Sequence, residues 1–284
     1  MTPAWRKILR SPLAVACIGF LAFLSLLGLL APVLPLQSPT EVNLAQKLAP
    51  WGAGHLFGTD QLGRDVLSRL IFGVRTTLFW SLAAMAGTLS AGALYGAAAA
   101  FFRGRTDSVM MRICDVFMSF PSEVLTLAIV GLMGPGIMNM VLACILAKWA
   151  WYARMTRGIV RRYTACGYTD FARVAGARPL AIITGHLLPG AAGELLVLGT
   201  VDAGSVILLI STLSFLGLGV QPPDPEWGMM LAEAKEVLSL YPWQMVPPGL
   251  TVMATVAAFN YLGDALRDAL DPKHVSGGAS HDAA

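Results

Sequence analysis

Ionisable side chains stand inside stretches that are otherwise apolar: Arg112, Asp115 and Glu123 in one, Glu194 and Asp202 in another. A charge in hydrocarbon is costly, so such residues face a bundle interior or a water-filled path. Asp115 and Glu123 are eight residues apart, as are Glu194 and Asp202; that step is about 80° around a helix, so each pair shares one broad face. Their negative sign suits a cationic or metal-bearing solute, and Glu123, Glu194 and Asp202 are the candidate lining of a translocation path. Interhelical hydrogen bonding, with Glu194 at the level of the lipid headgroups, explains the same residues without a path. Arg112 and Asp115 are spaced to pair with each other.

Other chemistries find less support. The 13 methionines are soft ligands in principle, but they are scattered, and packing explains them. His55, His186, His274 and His281 all fall outside the apolar stretches, and Cys17, Cys114, Cys144 and Cys166 form no C-x-x-C pair. No metal site and no disulfide framework is therefore expected. H-E-x-x-H, G-x-S-x-G and the phosphate loop G-x-x-x-x-G-K-[ST] are absent. The chain reads as a non-enzyme that binds no nucleotide and no cofactor of its own.

The elements that must position these residues follow from composition. Of 284 residues 56% are hydrophobic and 13% charged, about half the charge of a soluble domain. Membrane lipid must therefore supply part of the solvent. No basic run interleaved with aromatics points to nucleic acid. Six stretches are long and apolar enough to span a bilayer: 13–34, 77–101, 109–133, 137–153, 190–216 and 243–266. Placing both termini in the cytoplasm collects 13 of the 20 Lys and Arg on the inner side, as the positive-inside rule requires. The expected organisation is an N-terminal helix with an outer segment (1–76), a five-helix core (77–272) and a disordered tail (273–284). In the outer segment Asp65 and Arg69 are spaced as an i,i+4 pair on an amphipathic helix, which either lies over the bundle mouth or meets a docking protein.

The inner segment 154–189 is long for a connection in a compact bundle, which usually signals function. It contains Asp170-Phe-Ala-Arg-Val-Ala-Gly176 and, nine residues on, His186-Leu-Leu-Pro189. A short helix over 169–175 is predicted to stop at Gly176, which adopts left-handed backbone readily. Pro179 permits a restart only as the first turn of a new helix. An ordinary basic cytoplasmic loop is the plainer alternative.

That segment resembles the E-A-A-x3-G-x9-I-x-L-P coupling loop of ABC-importer permeases. Asp170 stands at the Glu position, Phe171 and Ala172 at the two Ala positions, and Gly176 at the Gly, with Arg173 between them. His186 replaces Ile, while Leu188 and Pro189 match. Stretches 58–78, 214–231 and 259–272 are similar to the C-type permease of the dipeptide/oligopeptide/nickel importers, and 115–121 and 148–155 to its nickel-transport members. The resemblance implies an all-α membrane protein, a six-transmembrane-helix type I ABC importer permease with both termini inside. It also implies that Asp170, Phe171, Ala172, Arg173, Gly176, His186, Leu188 and Pro189 couple the chain to an ATPase. The implied partners are a second permease forming a heterodimer, two ATP-binding subunits that hold ATP-Mg, and a periplasmic substrate-binding protein, all at the bacterial inner membrane. The expected cargo is nickel, a metal–chelator complex or a di- or oligopeptide. An ion-coupled secondary transporter is the competing reading; the intramembrane acids favour it, and the lack of an evident inverted repeat opposes it.

Overall fold

Apolar runs free of proline wind into helices wherever a cap or a proline sets their start. In the computed structural model, which describes residues 8–52, 54–164 and 166–270, helix α1 (Pro12–Leu30) begins with the Ser11 hydroxyl accepting from the Ala14 N–H and proline in the first turn. The Ser11 hydroxyl also meets the Tyr261 hydroxyl at 3.1 Å, which fastens α1 to the last helix. Helix α2 (Val66–Val74) is capped by the Asp65 carboxylate, which accepts from the Ser68 N–H at 2.7 Å. It continues through a π turn (Arg75–Phe79) into α3 (Trp80–Phe102), a helix of 37 residues in all.

At the end of α3 the chain turns on Arg103, whose φ is +53°. That left-handed region is uncommon for a side-chain-bearing residue. The Arg103 guanidinium holds the corner by donating to the Thr164 carbonyl and hydroxyl, at 3.1 and 2.9 Å. Helices α4 (Gly104–Met118) and α5 (Ser122–Met133) follow, then α6 (Ile137–Tyr163), α7 (Gly167–Val174) and α8 (Pro179–Ile182). A second π turn (Ile183–Leu187) carries α8 into α9 (Leu188–Phe215), again 37 residues from Pro179 to Phe215. Helices α10 (Trp227–Glu236) and α11 (Val246–Leu270) complete the bundle.

Four helices among the described residues are long and apolar enough to cross a membrane, or five if α4 and α5 count as one span. The expected third span, 109–133, is not a straight helix: α4 and α5 meet at 79°. Pro121, in extended backbone (ψ 130°), sets the break. The predicted span 137–153 is helical but runs on to Tyr163 and is not among the four. The tail 273–284 lies outside the described residues.

Helices α3 and α6 pack most closely. Gly92 and Gly96, one turn apart, let the backbones touch: a Cβ on Gly92 would stand 2.4 Å from Tyr152 Cβ, and one on Gly96 2.2 Å from the Ala153 carbonyl oxygen. This is the small-x-x-x-small approach by which membrane helices gain dispersion energy. Its structural result is to fix Tyr152, itself fully buried, against the core formed with Met85, Met140, Cys144, Val206 and Ile210.

The segment that leads into α2 is bound into the bundle by buried charges. Asp60 accepts from Arg64 Nε at 2.7 Å and from Arg69 Nη1 at 2.5 Å, and both arginines also pair with Glu233 on α10. The expected Asp65–Arg69 pair does not form; Asp65 instead caps α2 and meets His55 Nδ1 at 2.9 Å. Asp60, Arg64, Asp65 and Arg69 are all buried, so they offer no contact to a docking protein. Burial works against the Arg64 charge, but Asp60 and Glu233 outweigh it and hold its pKa above the usual arginine value.

Trp227 is fully buried beside this network, its ring N–H donating to the Leu70 carbonyl at 3.0 Å and its backbone N–H to the Thr77 hydroxyl at 3.1 Å. Trp227→Ala is expected to cost about 3–5 kcal/mol, the range for emptying a large aromatic site, read as a lower melting temperature in detergent. The neighbouring Glu226 carboxylate accepts from the Thr77 hydroxyl and the Met229 N–H, each at 2.8 Å. Burial pushes the Glu226 carboxyl above the usual carboxylate range. Its contribution to stability is therefore full below the unfolded-state pKa and is lost as pH rises through the raised folded value. Melting temperature followed against pH is expected to fall across that window in the parent chain, and Glu226→Gln to flatten the fall.

Candidate functional site

Helix α7 ends as the sequence predicts, although it begins at Gly167 rather than 169. Gly176 has φ +77°, and the Ala177 N–H donates back to the Ala172 carbonyl at 3.0 Å. This six-to-one bond around a left-handed residue is a Schellman cap. Pro179 then starts α8 at its first turn, with Arg178 in extended backbone ahead of it. The buried Thr169 hydroxyl donates to the Tyr163 carbonyl at 3.0 Å. Ala172 is buried against a cluster containing Val160, Ile182 and Leu187.

The same short helix turns a different face outward. Phe171 is 75% and Val174 88% exposed, with Leu180 on α8 at 67%. Tyr168 and Asp170 are also exposed. His186 lies within the second π turn, exposed, its ring 6.2 Å from that of Tyr168. Leu188 packs partly against the Ala172 cluster and Pro189 sits in the first turn of α9. The Arg173 backbone is helical; its side chain lies outside the described set. The segment thus forms an anchored knob with an apolar tip, and Val174 and Leu180 join the residues the motif named.

Of the three acids expected along a path, the structure brings two together. Glu123 and Asp202 line one cavity of about 360 Å3 with Lys148, Trp151 and Ser205. Lys148 Nζ lies 2.8 Å from Asp202 Oδ2 and 3.0 Å from Ser205 Oγ. Asp202 also accepts from the Tyr152 hydroxyl and the Ser205 hydroxyl, while Glu123 accepts from Ser122 at 3.1 Å. Lys148 and Tyr152 share one face of α6 at i,i+4, as Asp202 and Ser205 do on α9 at i,i+3. That spacing was readable in the sequence; their meeting across two helices was not.

Glu194 lies elsewhere, in a larger cavity of about 800 Å3 with Arg162, Arg267 and Leu270. It pairs with Arg162 and accepts from the Tyr163 hydroxyl at 3.2 Å. Because Tyr163 also accepts from Thr169, Glu194 is linked to the knob rather than to the Glu123 cavity. The Arg112–Asp115 pair forms only at 4.0 Å, and Asp115 meets Arg154 of α6 more closely. No group of three or more His, Cys, Asp or Glu among the described residues is placed to hold a metal ion.

Comparison with solved structures matches this bundle to the inward-facing MetNI methionine ABC transporter, at TM-score 0.57 and 16% identity over 72% of this chain and 97% of that one. The fold is therefore that of a type I ABC permease, all-helical among the described residues. Residues 91–275 match the family model for the binding-protein-dependent transport system inner membrane component, and residues 2–50 that for the N-terminal transmembrane domain of oligopeptide transport permease C. The chain belongs to the first of these families, the inner membrane components of binding-protein-dependent transport. Similar proteins include the metal-staphylopine import system permease protein CntC of Staphylococcus aureus, 40% identical over 94% of this chain and 93% of that protein. The nickel transport system permease protein NikC of Escherichia coli is 39% identical over 90% and 92%. The di/tripeptide transport system permease protein DppC of Pseudomonas aeruginosa is 38% identical over 95% and 91%. This chain is accordingly an inner-membrane permease and not an enzyme, ATP hydrolysis belonging to separate subunits of such importers.

Proposed function

We propose that this chain is one of two different permease subunits of an ATP-driven importer, crossing the inner membrane six times with both termini in the cytoplasm. Its cargo is nickel, a small metal–chelator complex or a di- or oligopeptide, in keeping with the metal-staphylopine, nickel and di/tripeptide importers among its relatives. The division into an N-terminal part (1–76), a core (77–272) and a tail (273–284) is part of the same proposal. The observation that carries it is the α7 knob: Ala172 and Thr169 hold it to the bundle, and the Schellman cap fixes its end while Phe171, Val174 and Leu180 stay exposed. A rigid apolar tip of this kind fits a groove on an ATPase subunit.

In this mechanism closure of the two ATPase subunits on ATP displaces the knob. Tyr163 accepts from Thr169 and donates to Glu194, so the displacement passes to the base of α9. Asp202 is two turns further along the same helix, and the Glu123–Asp202 cavity alternates between the two sides of the membrane. A substrate-binding protein delivers cargo at the outer face. Glu194 acts in this scheme as a link in the coupling, and Glu123 and Asp202 as path residues.

The test is affinity purification of the tagged chain from cells expressing the whole transport operon, followed by uptake in proteoliposomes. Recovery of ATPase subunits and uptake that requires ATP is the expected result. A chain that purifies alone and moves solute without ATP would overturn it in favour of ion-coupled transport.

A further inference from the structure

Lys148 is not among the residues that the acid spacing singles out, yet it lines the Glu123–Asp202 cavity. A lysine ammonium has three N–H donors. Two are used, on Asp202 Oδ2 at 2.8 Å and Ser205 Oγ at 3.0 Å, and the third is left for the cavity. Asp202 is already satisfied by Lys148, Tyr152 and Ser205. Glu123, by contrast, accepts among the described residues from the neighbouring Ser122 alone and retains acceptor capacity. The cavity therefore offers one cationic donor and one anionic acceptor, and Trp151, Phe117 and Phe120 supply apolar wall.

That arrangement disfavours a bare divalent cation. Asp202, the acid best placed to attract one, has a resident ammonium within 3 Å of it, which repels any incoming metal ion. No three-ligand cluster exists among the described residues to compensate. A solute carrying both an ammonium and a carboxylate, by contrast, meets a complementary group for each end. Fixed opposite charges also favour one orientation of such a solute over its reverse.

We propose that Lys148 is the specificity-determining residue of this cavity: its free N–H receives the carboxylate of a zwitterionic amino-carboxylate cargo whose ammonium is received by Glu123. Lys148 thereby excludes bare divalent cations. The inference rests on the importer reading above and narrows its cargo to peptides and amino-carboxylate metal chelates.

The experiment uses the complete complex with its binding protein in proteoliposomes. Four probes are offered with and without ATP: alanyl-alanine, its C-terminal amide, free Ni2+, and Ni2+ with excess glycine. Each is measured with the parent chain, Lys148→Gln and Lys148→Arg. The binding protein is common to all three complexes, so its own selectivity cancels in the variant-to-parent ratio. The parent is expected to carry alanyl-alanine or nickel–glycine but not free Ni2+. Lys148→Gln should lower uptake of the zwitterionic probe at least tenfold while the ATPase subunits still co-purify with it, and Lys148→Arg should restore most of the uptake. Parent complexes that carry free Ni2+ best overturn the inference, as does a Lys148→Gln complex that carries every probe as the parent does. Uptake by the parent that ignores ATP, or no uptake at all, defeats the importer reading itself and is told apart from those outcomes by the parent alone.

Discussion

Gly176→Val is expected to weaken recovery of the ATPase subunits about tenfold and to reduce ATP-driven uptake in proportion, while Gly176→Asn leaves both near the parental level. The cost is conformational and not steric. A Cβ at Gly176 meets nothing within 4 Å, so no clash accompanies the change. What remains is the φ of +77°. A side-chain-bearing residue pays about 1–2 kcal/mol in that region, a β-branched one more, and asparagine least. Losing that amount from the cap frees the Ala177–Ala172 bond and lets the last turn of α7 fray, and about 1.4 kcal/mol is a factor of ten in an equilibrium. Co-purification yield and ATP-dependent uptake, measured for the two variants side by side, check it. Equal loss in Asn and Val would mean that the position matters for something other than its backbone.

Arg69→Met is expected to be the most destabilising single change in the segment around α2, lowering stability by about 3–5 kcal/mol, because it removes one of the two cations that balance the buried Asp60 carboxylate and that of Glu233. Arg69 is 1% exposed and bridges Asp60 to Glu233. Asp60 loses one of four donors, the others being the Leu62 and Arg64 backbone N–H groups and Arg64 Nε. Glu233→Gln should cost clearly less: its side chain is 21% exposed, so water takes up part of the lost interaction. Thermal unfolding in detergent at low and high salt separates the two. A buried network is poorly screened, so the Arg69→Met deficit should persist in high salt. A deficit that salt abolishes would place the network at the surface.

The parts of this molecule that were legible in the sequence are those written locally. Apolar runs gave the helices, and Gly176 with Pro179 gave the end of α7 and the start of α8 to within two residues. The bend between α4 and α5 was also locally written, in Pro121, but a run of apolar residues on both sides hid it. The Gly92-x-x-x-Gly96 pair is the local signal of the α3–α6 contact, though the spacing alone does not name its partner helix. Meetings between distant segments were not legible. Arg69 stands 164 positions from Glu233, and nothing in the local pattern of either says that Asp60 will sit between them. Helical spacing grouped Glu194 with Asp202 on one face. Their separation came from what stands opposite each of them, Arg162 and Tyr163 for one and Lys148 and Tyr152 for the other.

The two π turns have a consequence for how the long helices can move. Each holds one residue more per hydrogen-bonded loop than an α-helix. Retightening either to α geometry would swing everything beyond it by about 100° and slide it about 1.5 Å along the axis. Each amide would merely trade one carbonyl for its neighbour, so the change strands no polar group in lipid. Arg75–Phe79 lies beside Glu226 and Trp227 at one end of the pair, and Ile183–Leu187 lies beside Ala93, Ala97 and Ala100 at the other. The antiparallel rods α3 and α9 therefore each carry a vernier at opposite ends, so that a twist can be taken up one residue at a time while the packed middle, with Tyr152 and Asp202 in it, keeps its register.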